Sequence, residues 1–350
     1  MEKRLKQSVG IDCSKDELAV AFGIMDESYS TIILSNLKVP NTQGGFKKLI
    51  SWVQKFDDKS VPVHFVVEAT GVYHELLSLF LFAQHHTITV MLPNKVKAFT
   101  KTLAVKTVND KVSAQAIAQL GLEKKLEPWQ PPNPVYQHMR QLTRERDQLI
   151  VEQTQKKNQL HAERAGAWPN KGSIKRIQQI LKVINKQILE IEEEIKDLIK
   201  CNSELKHKFD IICTIPGVSL LTASVVVAET NGFHQIHNKK QLTSYAGLDV
   251  IQKESGTSVR GKTRISKKGN KYLRKCLYFP AFSATRCQPE YKNLYDRICS
   301  RTGIKMKGAV AIQRKLLILI YILWKKNETF RHDYHQGKIE ERQLTAALTN

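Results

Sequence analysis

The stretch VGIDCSKDELAVAFGI, Val9 to Ile24, decides how the first third of the chain reads. Val9–Ile11 and Leu18–Phe22 are short runs of apolar and β-branched residues joined by a polar, charged connection, which predicts the two arms of a hairpin with Asp12 at the end of the first arm. Working outward, Thr31–Leu34 reads as a third strand, Val63–Val67 as a buried strand ending at Glu68, and Thr89–Leu92 as another. Helical patterns over Gly45–Lys55 and Tyr73–Gln84 lie between them, so strands and helices alternate in an α/β layer. PWQPPNP, Pro128 to Pro134, places four prolines in seven residues; no helix crosses such a segment, and the first domain is expected to span 1–127.

Beyond the prolines the period turns helical. A helix is expected from about Tyr136 to Ala165, and WPNKGS at Trp168–Ser173 separates it from a second. In that second helix Ile177, Leu181, Ile184, Ile188, Ile191, Ile195 and Leu198 alternate in steps of four and three, a heptad seam. The two form a helical hairpin across 128–205, used either as an internal antiparallel pair or as a contact between subunits. A third domain is expected at 206–330, mainly α, opening with CTIPGVSLLTASVVVAE at Cys213–Glu229. Its Pro216-Gly217 turn has the layout of a helix-hairpin-helix, which either offers amides to a phosphate or simply joins two packed helices. Residues 331–350 read as a polar tail.

With 350 residues, 41% hydrophobic and 25% charged, the chain has ample apolar material for cores, which excludes wholesale disorder. Lys and Arg number 55 against 33 acids, and the net charge of +22 points to a polyanionic partner, nucleic acid first. The excess is concentrated. Residues 251–315 hold 17 Lys and Arg against three acids, a net +14. Within it, KESGTSVRGKTRISKKGNKYLRK interleaves cations with Ser, Gly and Thr, so Arg260, Lys262, Arg264, Lys267, Lys268, Lys271 and Arg274 are candidate phosphate contacts. The most apolar run, Leu316–Trp324, is nine residues between lysines, too short to span a membrane, and the N-terminal MEKRLKQ leads into a strand; a cytoplasmic protein is expected. Six cysteines without a C-x-x-C pair read as structural thiols.

Two carboxylates at strand ends of one sheet, Asp12 and Glu68, can converge on Mg²⁺, which takes oxygen ligands. Asp110, in KTVNDKVSAQAIAQLG at the start of a helix, is either a third ligand or a helix cap.

In their order along about residues 6–325, GIDCSKDELAV, VVEATGVYHE, PNKVKAFTKTLAVKTVNDKVSAQAIA, IPGVSLLTASVVVAE and YAGLDVIQKESGTSVRGKTRISKKGNKYLRKCLYFPA resemble the DEDD-type insertion-sequence transposases, relatives of the Piv pilin-inversion recombinase. That resemblance implies an N-terminal RuvC-like domain of the RNase H class whose four acidic residues bind Mg²⁺, a coiled-coil insertion that mediates assembly, and a C-terminal domain carrying a serine nucleophile. It further implies donor and target DNA as substrates, a structured bridge RNA from the element as guide, and a homo-oligomer, dimer or tetramer. By position Asp12, Glu68 and Asp110 match the first three acids, but Ser113 stands where the fourth belongs. The family motif E-S-G-x-S-x-R-G falls on Glu254–Gly261, making Ser255 the nucleophile, with Ser258 close by and Arg260, Lys262 and Arg264 able to neutralise charge on the phosphorus. Two other readings stand beside it: a RuvC-like metal-dependent nuclease in which water attacks, and a catalytically impaired nucleic-acid-binding relative, the latter suggested by Ser113.

Overall fold

The computed structural model describes residues 3–103, 107, 109–252, 254–255, 259–261 and 263–331. The chain divides between Pro131 and Pro132 into two compact units, inside the proline-rich segment. The first opens with β1 (Arg4–Cys13), β2 (Glu17–Asp26) and β3 (Thr31–Pro40), an antiparallel meander longer at every strand than the apolar runs predicted. The reason for β3 is visible in its alternating half-buried and exposed residues, the pattern of a sheet edge that apolar runs underestimate. Then come α1 (Gln43–Val53), β4 (Val63–Glu68), α2 (Glu75–Ala83), β5 (Thr87–Met91), α3 (Pro93–Thr100) and α4 (Asp110–Glu123). β4 pairs with β1, and β5 with β4, both parallel, giving a mixed sheet of order β3-β2-β1-β4-β5 with β1 at its centre.

Strand alternation assigns the two faces. Val9 and Ile11 of β1 join Phe65 and Val67 of β4 in a core with Phe22, Phe46, Leu49, Leu77 and Leu81. The opposite parity, Ser8, Gly10 and Asp12 on β1 with Val66 and Glu68 on β4, belongs to the face that α4 covers, where Val66 packs on Ile117 and Leu120. There the fit is tight. A Cβ on Gly10 would lie 2.1 Å from the Ala118 nitrogen and 2.2 Å from the Ala114 oxygen, and one on Gly121 would lie 2.2 Å from Ser8 Oγ. Ala19, Ala21, Ala114 and Ala118 complete this small-residue seam.

The second unit is mainly helical. α5 (Pro134–Ala165) and α6 (Lys171–Lys200) run antiparallel, tied by Arg146 to Glu192 at 2.7 Å and by Gln153 to Asn185 at 2.6 Å. The seam of α6 is buried within the chain, Ile184, Ile188 and Ile191 included, so the internal antiparallel pair is realised. At its end Ile199 is the more deeply buried member, at 3% exposure, and Leu198 packs half-buried against the same core, because a straight helix of 3.6 residues per turn drifts from the heptad. There follow α7 (Ser203–Cys213), α8 (Leu220–Glu229), α9 (Lys239–Tyr245), the two-residue strands β6 (Val250–Ile251), β7 (Glu254–Ser255), β8 (Val259–Arg260) and β9 (Arg264–Ile265), then α10 (Lys271–Cys276), α11 (Tyr278–Cys287), α12 (Pro289–Thr302) and α13 (Lys305–Lys326). β6 pairs with β9 and β7 with β8, both antiparallel, as successive rungs of one hairpin. The inner ends of α5 and α6 share one apolar core with α7, α8, α11 and α13, around Phe209, Phe233 and Trp324. Gly217, at φ +86°, sits against α11, where a Cβ would come 3.0 Å from Ser283 Cβ and 3.1 Å from the Pro280 oxygen, so its turn joins packed helices. The cysteines are all free thiols, and among the described residues no helix is long and apolar enough to cross a membrane.

Gly10→Ala tests the seam. We expect it to destabilise the chain by about 1–3 kcal/mol, the usual range for overpacking, because the atoms met are backbone and the whole of α4 must shift. Denaturant unfolding followed by circular dichroism reads the loss, and an unchanged midpoint would mean that α4 is not seated on β1.

Candidate active site

Asp12 ends β1 at the centre of the sheet, and Glu68 ends the adjacent parallel strand; Ile11 is in register with Val67, so the two carboxylates are neighbours on the α4 face. α4 contributes the rest. Asn109 is its N-cap, its side chain accepting from the Val112 amide at 2.9 Å, so Asp110 at the first helical position is released from the capping role. Ser113, one turn later, hydrogen-bonds the Asp12 carboxylate through its side chain. Seating Ala114 and Ala118 on Gly10 therefore aims the first turn of α4 at the end of β1.

The electrostatics record the convergence. Burial and then the charge of Asp110 raise the Asp12 carboxyl above its ordinary range, with the Ser113 and Cys13 hydrogen bonds opposing the shift. Burial and then Asp12 raise Glu68. Between them the Cys13 thiol is pushed up to about 12 by burial, then by Asp12 and Glu68. Among the described residues no three His, Cys, Asp or Glu side chains are gathered closely enough to hold a metal ion. Asp12 does feel the charges of Asp110 and of Glu68 and has the Ser113 hydroxyl beside it; these are oxygen donors of the class a hard divalent cation takes, and a cation there would offset the like-charge repulsion.

The other sequence candidates lie in the second unit. Ser255 is in β7, its backbone in register with Val259, and Arg260 in β8 with Glu254. Ser258 and Lys262 lie outside the described residues, as does the tail beyond Arg331. Arg264, Lys267, Lys268 and Lys271 are exposed, and Lys271 also lies over the Tyr272 ring at 5.1 Å. Arg274 is different. Its Nη1 donates to the carbonyl oxygens of Ala246 at 2.7 Å and of Gly269 and Asn270 at 3.2 Å, so this guanidinium braces the loop on either side of the hairpin.

Sequence reasoning missed a polar cluster beneath that loop. Glu229, 3% exposed at the end of α8, receives both ends of the Arg144 guanidinium at 2.7 and 2.9 Å, and Asn270 at 2.6 Å. The signal available was a lone acid closing the apolar run LTASVVVAE; nothing in the sequence pairs it with an arginine 85 positions upstream.

Two family descriptions match this chain: an IS110-type DEDD transposase domain, described as "Transposase", over residues 9–165, and "Transposase IS116/IS110/IS902 family" over residues 209–296. The chain is 27% identical to the pilin gene-inverting protein of Moraxella bovis over 336 residues, 95% of this chain and 99% of that one. It is 26% identical to the transposase for insertion sequence element IS1111A of Coxiella burnetii over 273 residues, 68% of this chain and 71% of that one. Among solved structures, RuvC of T. thermophilus in complex with a Holliday junction substrate matches 35% of this chain and 99% of its own at 12% identity, with a TM-score of 0.28.

The raised carboxyls yield a test free of any assay of activity. A carboxyl whose folded pKa lies above its unfolded one costs stability at neutral pH, and the cost vanishes as pH falls below the unfolded value. Asp12→Asn keeps the acceptor for Ser113 and removes the charge. In chelator at pH 7 we expect it to melt above the parent, with that gap closing at acid pH. Added Mg²⁺ should raise the parent's melting temperature and leave the variant's unmoved.

Proposed function

Because this chain belongs to the IS110 transposase family, carrying that family's two domains in order, we propose that it cuts and rejoins DNA at the ends of its own mobile element through a serine-linked intermediate. The observation that carries this reading is that Asp12 interacts with both Asp110 and Glu68, while the serine motif stands intact in the most basic part of the chain. The mixed sheet with β1 at its centre and the DEDD match over 9–165 support a RuvC-like first unit.

Asp12, Glu68 and Asp110 would hold a divalent cation, Mg²⁺ by their hard oxygen donors, and the ion would supply positive charge to the phosphodiester oxygens. Ser113 keeps the Asp12 carboxylate oriented, which a neutral hydroxyl does without adding a fourth charge. On this reading a bond forms from Ser255 Oγ to phosphorus as the bond from phosphorus to a deoxyribose oxygen breaks. The serine proton is lost and the departing oxygen gains one. A hydroxyl of the joining strand then attacks the same phosphorus and releases the serine, so the phosphodiester is conserved throughout. Arg260, Lys262 and Arg264 neutralise the charge that builds on the phosphoryl oxygens. The exposed Lys267, Lys268 and Lys271 hold the backbone of donor and target DNA, and of an RNA guide encoded by the element. Two or four copies assemble on the paired ends.

Trapping decides between this chemistry and a nuclease in which water attacks. A nicked or suicide DNA of the element's end should give a covalent protein–DNA adduct on denaturing gels that Ser255→Ala abolishes. Strand cleavage without an adduct would support water attack. Ser113→Asp adds a carboxylate against Asp12; recombination about tenfold faster than the parent, ~1.4 kcal/mol of barrier, would mark the native chain as impaired. We expect an unchanged or lower rate.

DNA affinity should fall steeply with salt. Reversing the charge of Lys267 and Lys268 should weaken binding to any sequence and reduce the log–log salt slope by about two.

A further inference from the structure

We propose that Glu229 is a positioning residue for the serine hairpin: its buried carboxylate fastens the base of the hairpin to α5. The inference rests on the reading of Ser255 as the nucleophile and asks what aims it. The carboxylate of Glu229 has its two oxygens engaged by Arg144 of α5, and Oε2 also accepts from Asn270 Nδ2 at 2.6 Å. Its main-chain oxygen accepts from the Tyr245 hydroxyl at 2.7 Å. Tyr245 and Asn270 are the two feet of the hairpin, joined directly by the Asn270 amide donating to the Tyr245 carbonyl at 2.7 Å. Above them the Lys267 amide donates to Gly247 at 3.1 Å and the Ser266 amide to Asp249 at 2.8 Å, followed by β6–β9 and then β7–β8 with Ser255. The feet are pressed together closely enough that a Cβ on Gly269 would lie 2.5 Å from both the Gly247 nitrogen and the Tyr245 oxygen. From Glu229 the hydrogen bonds thus run through the feet to β6–β9, and β7–β8 with Ser255 lies beyond them along the same two arms.

Packing alone does not account for a charge pair at this place. α5 and α8 already pack together in the one apolar core that holds Met139, Leu142, Ala223, Val226 and Val227, and burying the Glu229 carboxylate incurs desolvation that an apolar contact avoids. What the pair adds is direction: a bidentate guanidinium holds the carboxylate at one angle, with the Arg144 plane against the Tyr272 ring at 4.7 Å. Arg144 and Glu229 cancel in charge, so the cluster adds nothing to the attraction of phosphate. Its loss should therefore appear in the rate at saturating DNA and leave affinity nearly alone.

Asn270→Ser separates this role from simple helix stability. Asn270 also caps α10, accepting from the amides of Tyr272 and Leu273; serine retains the capping ability but is too short to reach Glu229. Glu229→Gln leaves one acceptor oxygen for the donors of Arg144 and Asn270 and so breaks the same clamp from its other side. With the full chain and saturating suicide DNA, we expect Asn270→Ser to form the covalent adduct at least tenfold more slowly, with Kd within twofold and an unchanged melting temperature. In the Glu229→Gln background Asn270→Ser should cost no more than about twofold further, because the two act through one contact. Hydrogen exchange at the amides of Ser266, Lys267 and Asn270 reads the clamp without chemistry: protection should fall tenfold or more in Asn270→Ser and as far in Glu229→Gln. An unchanged adduct rate, a loss of rate matched by a loss of affinity, additive losses in the double variant, or unaltered exchange would each overturn the proposal. Absence of an adduct from the parent chain would instead overturn the serine reading, and the exchange data would still decide whether Glu229 holds the hairpin.

Discussion

The first unit depends on how closely α4 can approach β1. A helix normally rides on a sheet at a distance set by its side chains, but over Gly10 the helix backbone itself makes the contact, with Ala114 and Ala118 on one side and Ala19 and Ala21 beside it. Strand alternation places Asp12 two residues beyond Gly10 on the same face. The glycine that lets the helix close is therefore the one that brings its first turn, with Asp110 and Ser113, to the carboxylate. Close packing has a cost, burial first and like-charge repulsion second, written in the raised carboxyls of Asp12 and Glu68. Sites that concentrate charge in this way are commonly sites of function, because a fold selected for stability alone would have no reason to retain them.

The second unit solves a different problem. A hairpin of two-residue strands has few hydrogen bonds of its own and cannot hold a side chain in place without help. Its support comes from below, through backbone rungs between residues 245–249 and 266–270, the Arg274 guanidinium on three carbonyls, and the Arg144–Glu229 pair rooted in the helical core. Cations facing outward and cations turned inward thus have separate tasks in one basic segment. Arg264, Lys267 and Lys268 are exposed, whereas Arg274 and, from α5, Arg144 organise the loop that carries them.

Charge count by itself does not distinguish those tasks. The net +14 of residues 251–315 is a property of composition, and it points to a polyanion whatever the fold. Whether a given cation meets phosphate or a carbonyl depends on the path of the backbone around it. The same holds for the heptad of α6, whose apolar spacing fits an internal partner or a second chain equally well; within this chain its buried seam packs with α5.

Sequence alone determined the α/β layer, the break at the prolines, the two long helices and the acids at the ends of β1 and β4, because each rests on local periodicity or on residues that constrain their own backbone. Asp12, Glu68 and Asp110 were legible for the same reason, as acids at element ends. Tertiary structure decided the rest. That Asn109 caps α4 and leaves Asp110 unused as a cap depends on which side chain folds back on the helix. Ser113 meets Asp12 only because a glycine on a strand and two alanines on a helix, more than 100 positions apart, fit together. Ile199 joins Leu198 at the end of the seam because a helix drifts from seven-residue registry. Glu229, Arg144 and Asn270 lie far apart in the chain, and a buried carboxylate is explained only by the donors that surround it, which the order of residues does not reveal.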